Sequence, residues 1–244
     1  MSEITPTAED YVKAIWSATE WGEPAITTKG LAARFGTTSA TASDTIRRLV
    51  LQGLVEHEPY GQIGLTPTGV RHALAMVRRH RLIETFLAST LGYSWAEIHD
   101  EAERLEHAAS DLLIDRVDAL LDHPAHDPHG DPIPAADGRV SYPQGAVSVR
   151  RAEPGDYVIV RISDADAERL VYFHEHGLVP GAAARVVGHD LHASTVRLRV
   201  GGSTGAGKAA SAELALAGEA TDAIILAPAG PAGESAPAPE TPTH

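Results

Sequence analysis

Six side chains between positions 80 and 107 have the types and spacing that hold a divalent ion. His80 and Glu84 stand four residues apart, and His99, Glu103, Glu106 and His107 follow one another at intervals of four, three and one. On a helix such intervals put residues on one face. The spacing therefore predicts two ligand faces built from carboxylate and imidazole. A solvated acidic helix normally intersperses Glu with Lys to form ion pairs one turn apart, yet Arg104 is the single basic residue between His99 and Asp111. Crowded carboxylates and imidazoles repel or change protonation unless a cation joins them. The chain has no cysteine, which excludes thiolate zinc sites, iron–sulfur clusters, disulfides and cysteine nucleophiles. Oxygen and nitrogen donors without sulfur favour Mn2+ or Fe2+ with water completing an octahedral-like shell, while Zn2+ also binds such donors tightly. His123, His126 and His129 in a Pro-rich loop, and His174 and His176 further on, read as structural or solvated histidines rather than ligands.

The elements that must carry these residues follow from periodicity. Leu74 to about Leu121 is nearly free of Gly and Pro, Gly92 being the exception, and reads as helical with a break after Leu91. A second helix is expected from about Ser94, with Leu105, Leu112 and Leu113 supplying the apolar surface that packs it. Upstream, Thr28–Phe35 reads as a short helix, Gly36-Thr37-Thr38 as a turn, and Ser39 to Gln52 as a second helix with Ala42, Ile46, Leu49 and Val50 as its buried stripe. Thr38, Ser39, Ala40, Thr41, Ser43, Asp44, Arg47 and Arg48 remain for the outer face and the turn before it. Leu54–His57 and Gln62–Thr66 then alternate as two strands around Tyr60-Gly61, and Thr66-Pro67-Thr68-Gly69 opens another helix. This order is that of a winged helix-turn-helix. Its second helix enters the major groove, where short polar side chains reach bases and arginines reach phosphates.

The balance of charge is acidic, with 20 Lys and Arg against 33 Asp and Glu, a net charge of −13 over 244 residues. A uniform charge of that sign would oppose DNA, whose affinity for proteins rests on phosphate neutralisation. It is not uniform. Residues 25–81 carry eight basic and three acidic residues, whereas residues 82–137 carry two basic and thirteen acidic. The excess sits around the candidate ligands, where divalent cations would offset it and leave the basic reading head less opposed. The first ten residues show no basic region followed by an apolar run, and no stretch has the ~18 uncharged apolar residues of a membrane helix. The expectation is a cytoplasmic protein with no membrane partner.

Beyond a Pro, Gly, Asp and His-rich stretch at 123–144, β-branched runs appear at Tyr157–Ile162, Ala184–Val187 and Thr195–Val200. They read as strands of a small barrel, enclosing one helix opened by Asp164 as N-cap and closed at Gly177. Gly202–Lys208 imitates a phosphate-binding loop, but Ala209 stands where the Mg2+-binding hydroxyl belongs. It also lies between strands of one barrel, so no nucleotide is expected. After Pro228 the Ala, Pro, Gly and Glu-rich composition predicts disorder.

These residues resemble the diphtheria-toxin-repressor (DtxR/MntR) family of metal-dependent regulators over about residues 7–227. The resemblance is carried by Glu9-Asp10-Tyr11, Gly53-Leu54-Val55, Leu65-Thr66-Pro67-Thr68-Gly69, Arg79-His80-Arg81-Leu82, His99–His107 and Asp127–Pro134. It implies a mainly α chain with a small β domain. The expected parts are a winged helix-turn-helix (1–74), a helical dimerisation and metal-binding domain (75–140), a linker (141–152), a C-terminal SH3-like β-barrel (153–227) and a disordered tail (228–244). It implies a primary metal site at Asp10, Glu103, Glu106 and His107. An ancillary site would use His80, Glu84 and His99 with a ligand from the SH3-like domain, Asp166 matching best and Asp164 next. Iron sensors of the family carry Met and Cys where Asp10 and Glu103 stand, so the all-carboxylate set resembles the manganese-sensing branch. Some manganese sensors have Glu in place of Lys13, so a closely bridged binuclear centre of their kind is not implied. A Gln ligand of the iron sensors is matched by Arg169. The implied activity is Mn2+-dependent repression by a homodimer on palindromic double-stranded DNA operators of metal-transport genes, with an Fe2+-dependent repressor of the same architecture as the alternative. A dimetal carboxylate enzyme needs a second Glu-x-x-His copy, which the chain lacks.

Overall fold

The computed structural model describes residues 4–57, 62–190, 192–201 and 212–229. Thr5 caps the first helix, α1 (Pro6–Ser17), by accepting from the Ala8 N–H, and Pro6 opens it, where a missing N–H costs nothing. Tyr11, Val12, Ala14 and Ile15 turn inward, and the Tyr11 ring stacks on Phe35 with centroids 4.5 Å apart. Helices α2 (Thr28–Arg34) and α3 (Ser39–Leu51) are capped by Thr27 and Thr38, each supplying the side-chain oxygen that an unsatisfied helix-start N–H requires. Ala42, Thr45, Ile46 and Leu49 form the buried stripe of α3. Val50, expected in that stripe, is instead exposed, and Thr45 joins the stripe, its hydroxyl donating to the Thr41 carbonyl at 3.1 Å.

Strands β1 (Val55–His57) and β2 (Ile63–Leu65) pair antiparallel, Val55 opposite Leu65, and make the wing. Residues 58–61 of the intervening turn, including Tyr60-Gly61, lie outside the described residues. Thr66 joins wing to helix: its hydroxyl donates to the Gly53 carbonyl at 2.7 Å and accepts from the Gly69 N–H at 3.0 Å. A Cβ at Gly69 would lie 2.0 Å from the Leu54 carbonyl oxygen, so only glycine lets the next helix approach this closely. That helix, α4 (Pro67–Leu91), runs unbroken across the boundary expected near residue 74 and ends at Gly92, whose φ of 72° is left-handed. Helices α5 (Ile98–Leu105) and α6 (Asp111–Leu120) follow. Leu105, Leu112 and Leu113, expected to pack them, are 40%, 65% and 51% exposed. The inward side chains are Ile98, Ala102, Ala109, Ile114 and Val117.

By its internal contacts the chain divides into two units. One comprises residues 1–93, 100–127 and 132–141, and the other 94–99, 128–131 and 142–244. The second is built on a six-stranded antiparallel sheet of order β3-β8-β4-β5-β6-β7, the SH3-like domain. Its strands are β3 (Val147–Ser148), β4 (Gly155–Ile162), β5 (Ala183–Asp190), β6 (Thr195–Val200), β7 (Ala212–Ala217) and β8 (Ile224–Pro228), with α7 (Ala167–Glu175) between β4 and β5. The edge strand β3 comes from the stretch read in sequence as linker. Val149, Ile159, Ile162, Leu170, Phe173, Leu178, Leu198 and Leu226 form the core. The phosphate-loop lookalike at Gly202–Lys208 falls outside the described residues. The strands flanking it, β6 and β7, are antiparallel neighbours with Val200 opposite Ala212.

Candidate metal centre

Helix α1 brings Glu9, Asp10 and Lys13 to the C-terminal end of α5. There Glu103 lies in the last turn, while Glu106 and His107 lie just past the helix in the turn toward α6. The single helical face expected for His99, Glu103, Glu106 and His107 is therefore broken. Helical pairing persists as far as the Glu106 N–H, which donates to the Ala102 carbonyl at 2.9 Å. Beyond it the turn swings the His107 ring toward α1. His107 Nε2 donates to Asp10 Oδ1 and Nδ1 to Glu9 Oε2, both at 2.8 Å. Burial lowers the His107 pKa, but the two carboxylates outweigh it and raise it. Asp10 is raised, its partial burial outweighing the attraction of His107. Glu106 is fully buried. Its Oε1 accepts from Lys13 Nζ at 2.5 Å and its Oε2 from His80 Nδ1 at 2.6 Å. Burial pushes its pKa up, and His80 and Lys13 more than reverse that.

Asp10, Glu106 and His107 each present a donor atom, and these atoms lie within 4.8 Å of one another. Two donors on opposite sides of one ion sit about 4.2 Å apart for bonds of roughly 2.1 Å, so small side-chain rotations close the set around a divalent cation. The residues fit one. Glu103, the fourth expected ligand, bonds Lys13 Nζ at 2.8 Å. Glu9 was not singled out by the sequence reading as a participant. Its adjacency to Asp10 was the only available signal, and the fold is what aims it at the outer nitrogen of His107.

His80 is held between carboxylates on both sides: Nε2 donates to Glu84 Oε1 at 3.0 Å while Nδ1 serves Glu106. Burial lowers its pKa, but the charge of Glu84 and the bonds to Glu106 and Glu84 raise it to about 9. His80 and Glu84, expected in the ancillary set, are thus linked to the primary set through Glu106.

In the sheet unit, His99 Nδ1 lies 3.2 Å from Asp164 Oδ2. Burial raises the Asp164 pKa, yet the bond from His99 and the charges of His99, His129 and Arg161 hold it well below the usual carboxylate range. The N-cap of α7 is Asp166 rather than Asp164. Asp166, the first choice as metal ligand, caps α7 by accepting from the Arg169 N–H at 3.0 Å and pairs with the Arg169 side chain. Asp164, expected to be that cap, faces His99. The cap lies two residues later than expected, and Arg169 occupies both oxygens of Asp166 through its N–H and its guanidinium. Arg169 also pairs with Glu219 at 2.8 Å. Among the other histidines, His123 bonds Asp118 at 2.7 Å, and His126 is exposed. The His129 and His174 rings lie 5.3 Å and 5.1 Å from Trp95, and His176 Nδ1 donates to the Tyr172 carbonyl at 2.7 Å.

On α3 and the turn before it, Thr38, Ser39, Ala40, Thr41, Ser43, Asp44, Arg47 and Arg48 are all exposed. Thr38 is partly used locally, its Oγ1 accepting from the Thr41 N–H at 3.1 Å, and Arg47 pairs with Asp44.

A winged helix-turn-helix, then helices bearing a carboxylate–imidazole cluster, then an SH3-like sheet is the architecture of metal-responsive DNA-binding regulators. Three family models match in that order: the iron dependent repressor N-terminal DNA binding domain over residues 3–63, its metal binding and dimerisation domain over 66–135, and the FeoA domain over 148–209. A solved structure of a manganese-dependent transcriptional repressor in complex with manganese is 45% identical, with a TM-score of 0.83, and the match covers 91% of this chain and all of that one. The manganese regulator SloR is 30% identical, with a TM-score of 0.76, over 93% of this chain and all of that one. The chain belongs to the diphtheria-toxin-repressor family. The diphtheria toxin repressor of Corynebacterium efficiens and the iron-dependent repressor IdeR of Mycobacterium tuberculosis are each 34% identical over 134 residues, 55% of this chain. Those matches span 58% of the relatives' own length. The family is one of repressors, not enzymes, which removes the dimetal-enzyme reading.

Proposed function

We propose that this chain is a divalent-metal-dependent DNA-binding transcriptional repressor, acting as a homodimer, with Mn2+ as the physiological corepressor. One observation carries the reading: Asp10, on the helix that packs inside the winged domain, meets Glu106 and His107 from the end of α5 with all donor atoms within 4.8 Å. Asp10, Glu106 and His107 hold the ion, with Glu103 as the fourth ligand. When bound, a divalent ion supplies a shared positive charge that neutralises these carboxylates and ties α1 to the helical segment. Glu9 keeps the His107 ring turned so that Nε2 points at the donors. Tyr11 and Val12, buried beside Asp10, pass any constraint on α1 into the core that supports α3. The exposed face of α3 then reads the major groove, Arg47 and Arg48 facing phosphates and Ser39, Ala40, Thr41 and Ser43 base edges. Asp10, Glu106 and His107 would favour the DNA-competent arrangement to the extent that they hold a divalent ion better there than in other arrangements. The His80–Glu84 and His99–Asp164 pairs are each further donor pairs, with Asp164 replacing Asp166 as the sheet-domain ligand.

Mn2+ is favoured by the sulfur-free donor set and by the manganese-dependent relatives. Fe2+ is the second reading, favoured by the iron-dependent relatives and by the same hard donors. Asp10→Ala or His107→Ala should abolish Mn2+-dependent binding to operator DNA in a mobility-shift assay, and undiminished binding would sink the proposal. Parallel anaerobic titrations with Mn2+ and Fe2+ decide the metal.

A further inference from the structure

Lys13 puts a cation among the proposed ligands. Its Nζ donates to Glu103 Oε1 at 2.8 Å and to Glu106 Oε1 at 2.5 Å, and its side chain is 7% exposed. Glu106 is buried and accepts on its other oxygen from His80. An ammonium in this position does for the carboxylates what a metal would do. It compensates a buried negative charge that is costly alone, and it ties α1 to α5 and the turn after it.

We infer that Lys13 is an intramolecular counter-ion that occupies Glu103 and Glu106 in the metal-free protein and must be displaced when metal binds, so that it weakens metal affinity and sets the concentration at which the protein responds. The inference rests on the metal-site reading above. A divalent ion bound through Glu106 shares that carboxylate with the ammonium or takes its place, and two cations at contact distance repel. The free energy of withdrawing the ammonium is therefore subtracted from that of metal binding. Lysine suits the role because its charge rides on a flexible four-carbon stem. The ammonium withdraws by side-chain rotation while Asp10, one helical turn away on α1, keeps its place. The metal-free protein then keeps a pinned α1 rather than a cluster of repelling carboxylates.

The test uses the full chain stripped of metal, titrated with MnCl2 by calorimetry and melted without metal. Lys13→Gln should bind Mn2+ about tenfold or more tightly, while its metal-free melting temperature falls. Lys13→Arg retains the charge and should bind within about threefold of the parent. A merely structural lysine would lower the melting temperature of Lys13→Gln without tightening metal binding. Equal or weaker Mn2+ affinity in Lys13→Gln therefore overturns the inference, as does equal tightening in Lys13→Arg. If metal-free Lys13→Gln is unfolded by circular dichroism, Mn2+ should restore the fold, and failure to do so also overturns it. Asp10→Ala separates the two levels. Lost Mn2+ binding in Asp10→Ala with no gain in Lys13→Gln defeats this inference alone, whereas parental affinity in Asp10→Ala defeats the metal-site reading.

Discussion

Each proposed donor of the centre is held by a second group that fixes its direction. His107 shows this most plainly: Asp10 takes Nε2, and Glu9 takes Nδ1 at 2.8 Å. Outer partners of this kind fix the tautomer and the ring angle of a ligating histidine, and losing one typically costs about 10- to 100-fold in metal affinity. Glu9→Gln should therefore weaken Mn2+ binding by roughly that factor with little change in the melting temperature, measured by calorimetry. The protons on these rings set a pH dependence. His80 is held at about 9 in the folded chain against an ordinary value of 6.5. A folded-state pKa above the unfolded one contributes stability that is fully present below the unfolded value and lost as pH rises through the folded one. Metal-free protein should accordingly lose the His80 contribution between about pH 6.5 and 9, seen as a melting-temperature difference between parent and His80→Gln that shrinks over that interval. Metal binding requires neutral imidazole, so Mn2+ affinity should climb with pH as His107, whose pKa its carboxylate neighbours raise, loses its proton. A flat affinity profile would remove the imidazoles from the site.

At the scale of elements, the loop at 128–131 braces β4 in the sheet unit. The Ile162 N–H donates to the His129 carbonyl at 2.9 Å, and Arg161 Nε donates to both carboxylate oxygens of Asp131 at 2.8 and 2.9 Å. Between them Gly130 adopts a φ of +90°, and a Cβ there would stand 2.0 Å from the Val160 carbonyl oxygen. The ladder between β4 and β8 shifts register between Ile159 and Arg161, so the loop meets the strand where its regular pairing lapses. Gly130→Ala combines a forbidden backbone region with a backbone clash and should cost about 2–4 kcal/mol, read as a lowered denaturation midpoint. A change within 0.5 kcal/mol would mean that the loop relaxes freely and does not brace the strand. Legibility at this scale was uneven. The helices of the winged domain were readable from their apolar spacing and, at Thr66, from the residues that open α4, and Thr27 and Thr38 cap α2 and α3. The C-terminal end of α5 and the start of α7 were not readable, although the close of α7 at Gly177 was. The start of α7 depends on which aspartate accepts the helix-start N–H, and Asp166 does so rather than Asp164.

Across the whole molecule, the exposed apolar residues Leu105, Leu112, Leu113 and Leu120 are 40–65% accessible and cluster on α5 and α6. The sequence marked Leu105, Leu112 and Leu113 as packing residues because periodicity identifies an apolar stripe without identifying what covers it. A second copy of the chain is the proposed cover. Leu113→Glu with Leu120→Glu should yield a monomer by analytical ultracentrifugation while the helical circular dichroism is retained. A persisting dimer would place the interface elsewhere. The acidic excess of residues 82–137 includes Glu103 and Glu106 of the proposed centre, so saturating Mn2+ should also change the salt dependence of DNA binding.

What the sequence determined by itself were the properties carried by local spacing and residue chemistry. These are the helix-turn-helix order, the exposed polar face of α3, the three strand runs of the sheet domain and a sulfur-free set of candidate donors. Only the tertiary structure decided which side chains meet. It put Glu9 on His107, Lys13 on Glu103 and Glu106, His80 on Glu106, and Asp164 rather than Asp166 on His99. The reason is physical. A helix face or strand register follows from interactions among near neighbours in the chain, whereas Glu9 and His107 lie 98 residues apart and meet only because α1, α4 and the turn after α5 pack around one buried carboxylate.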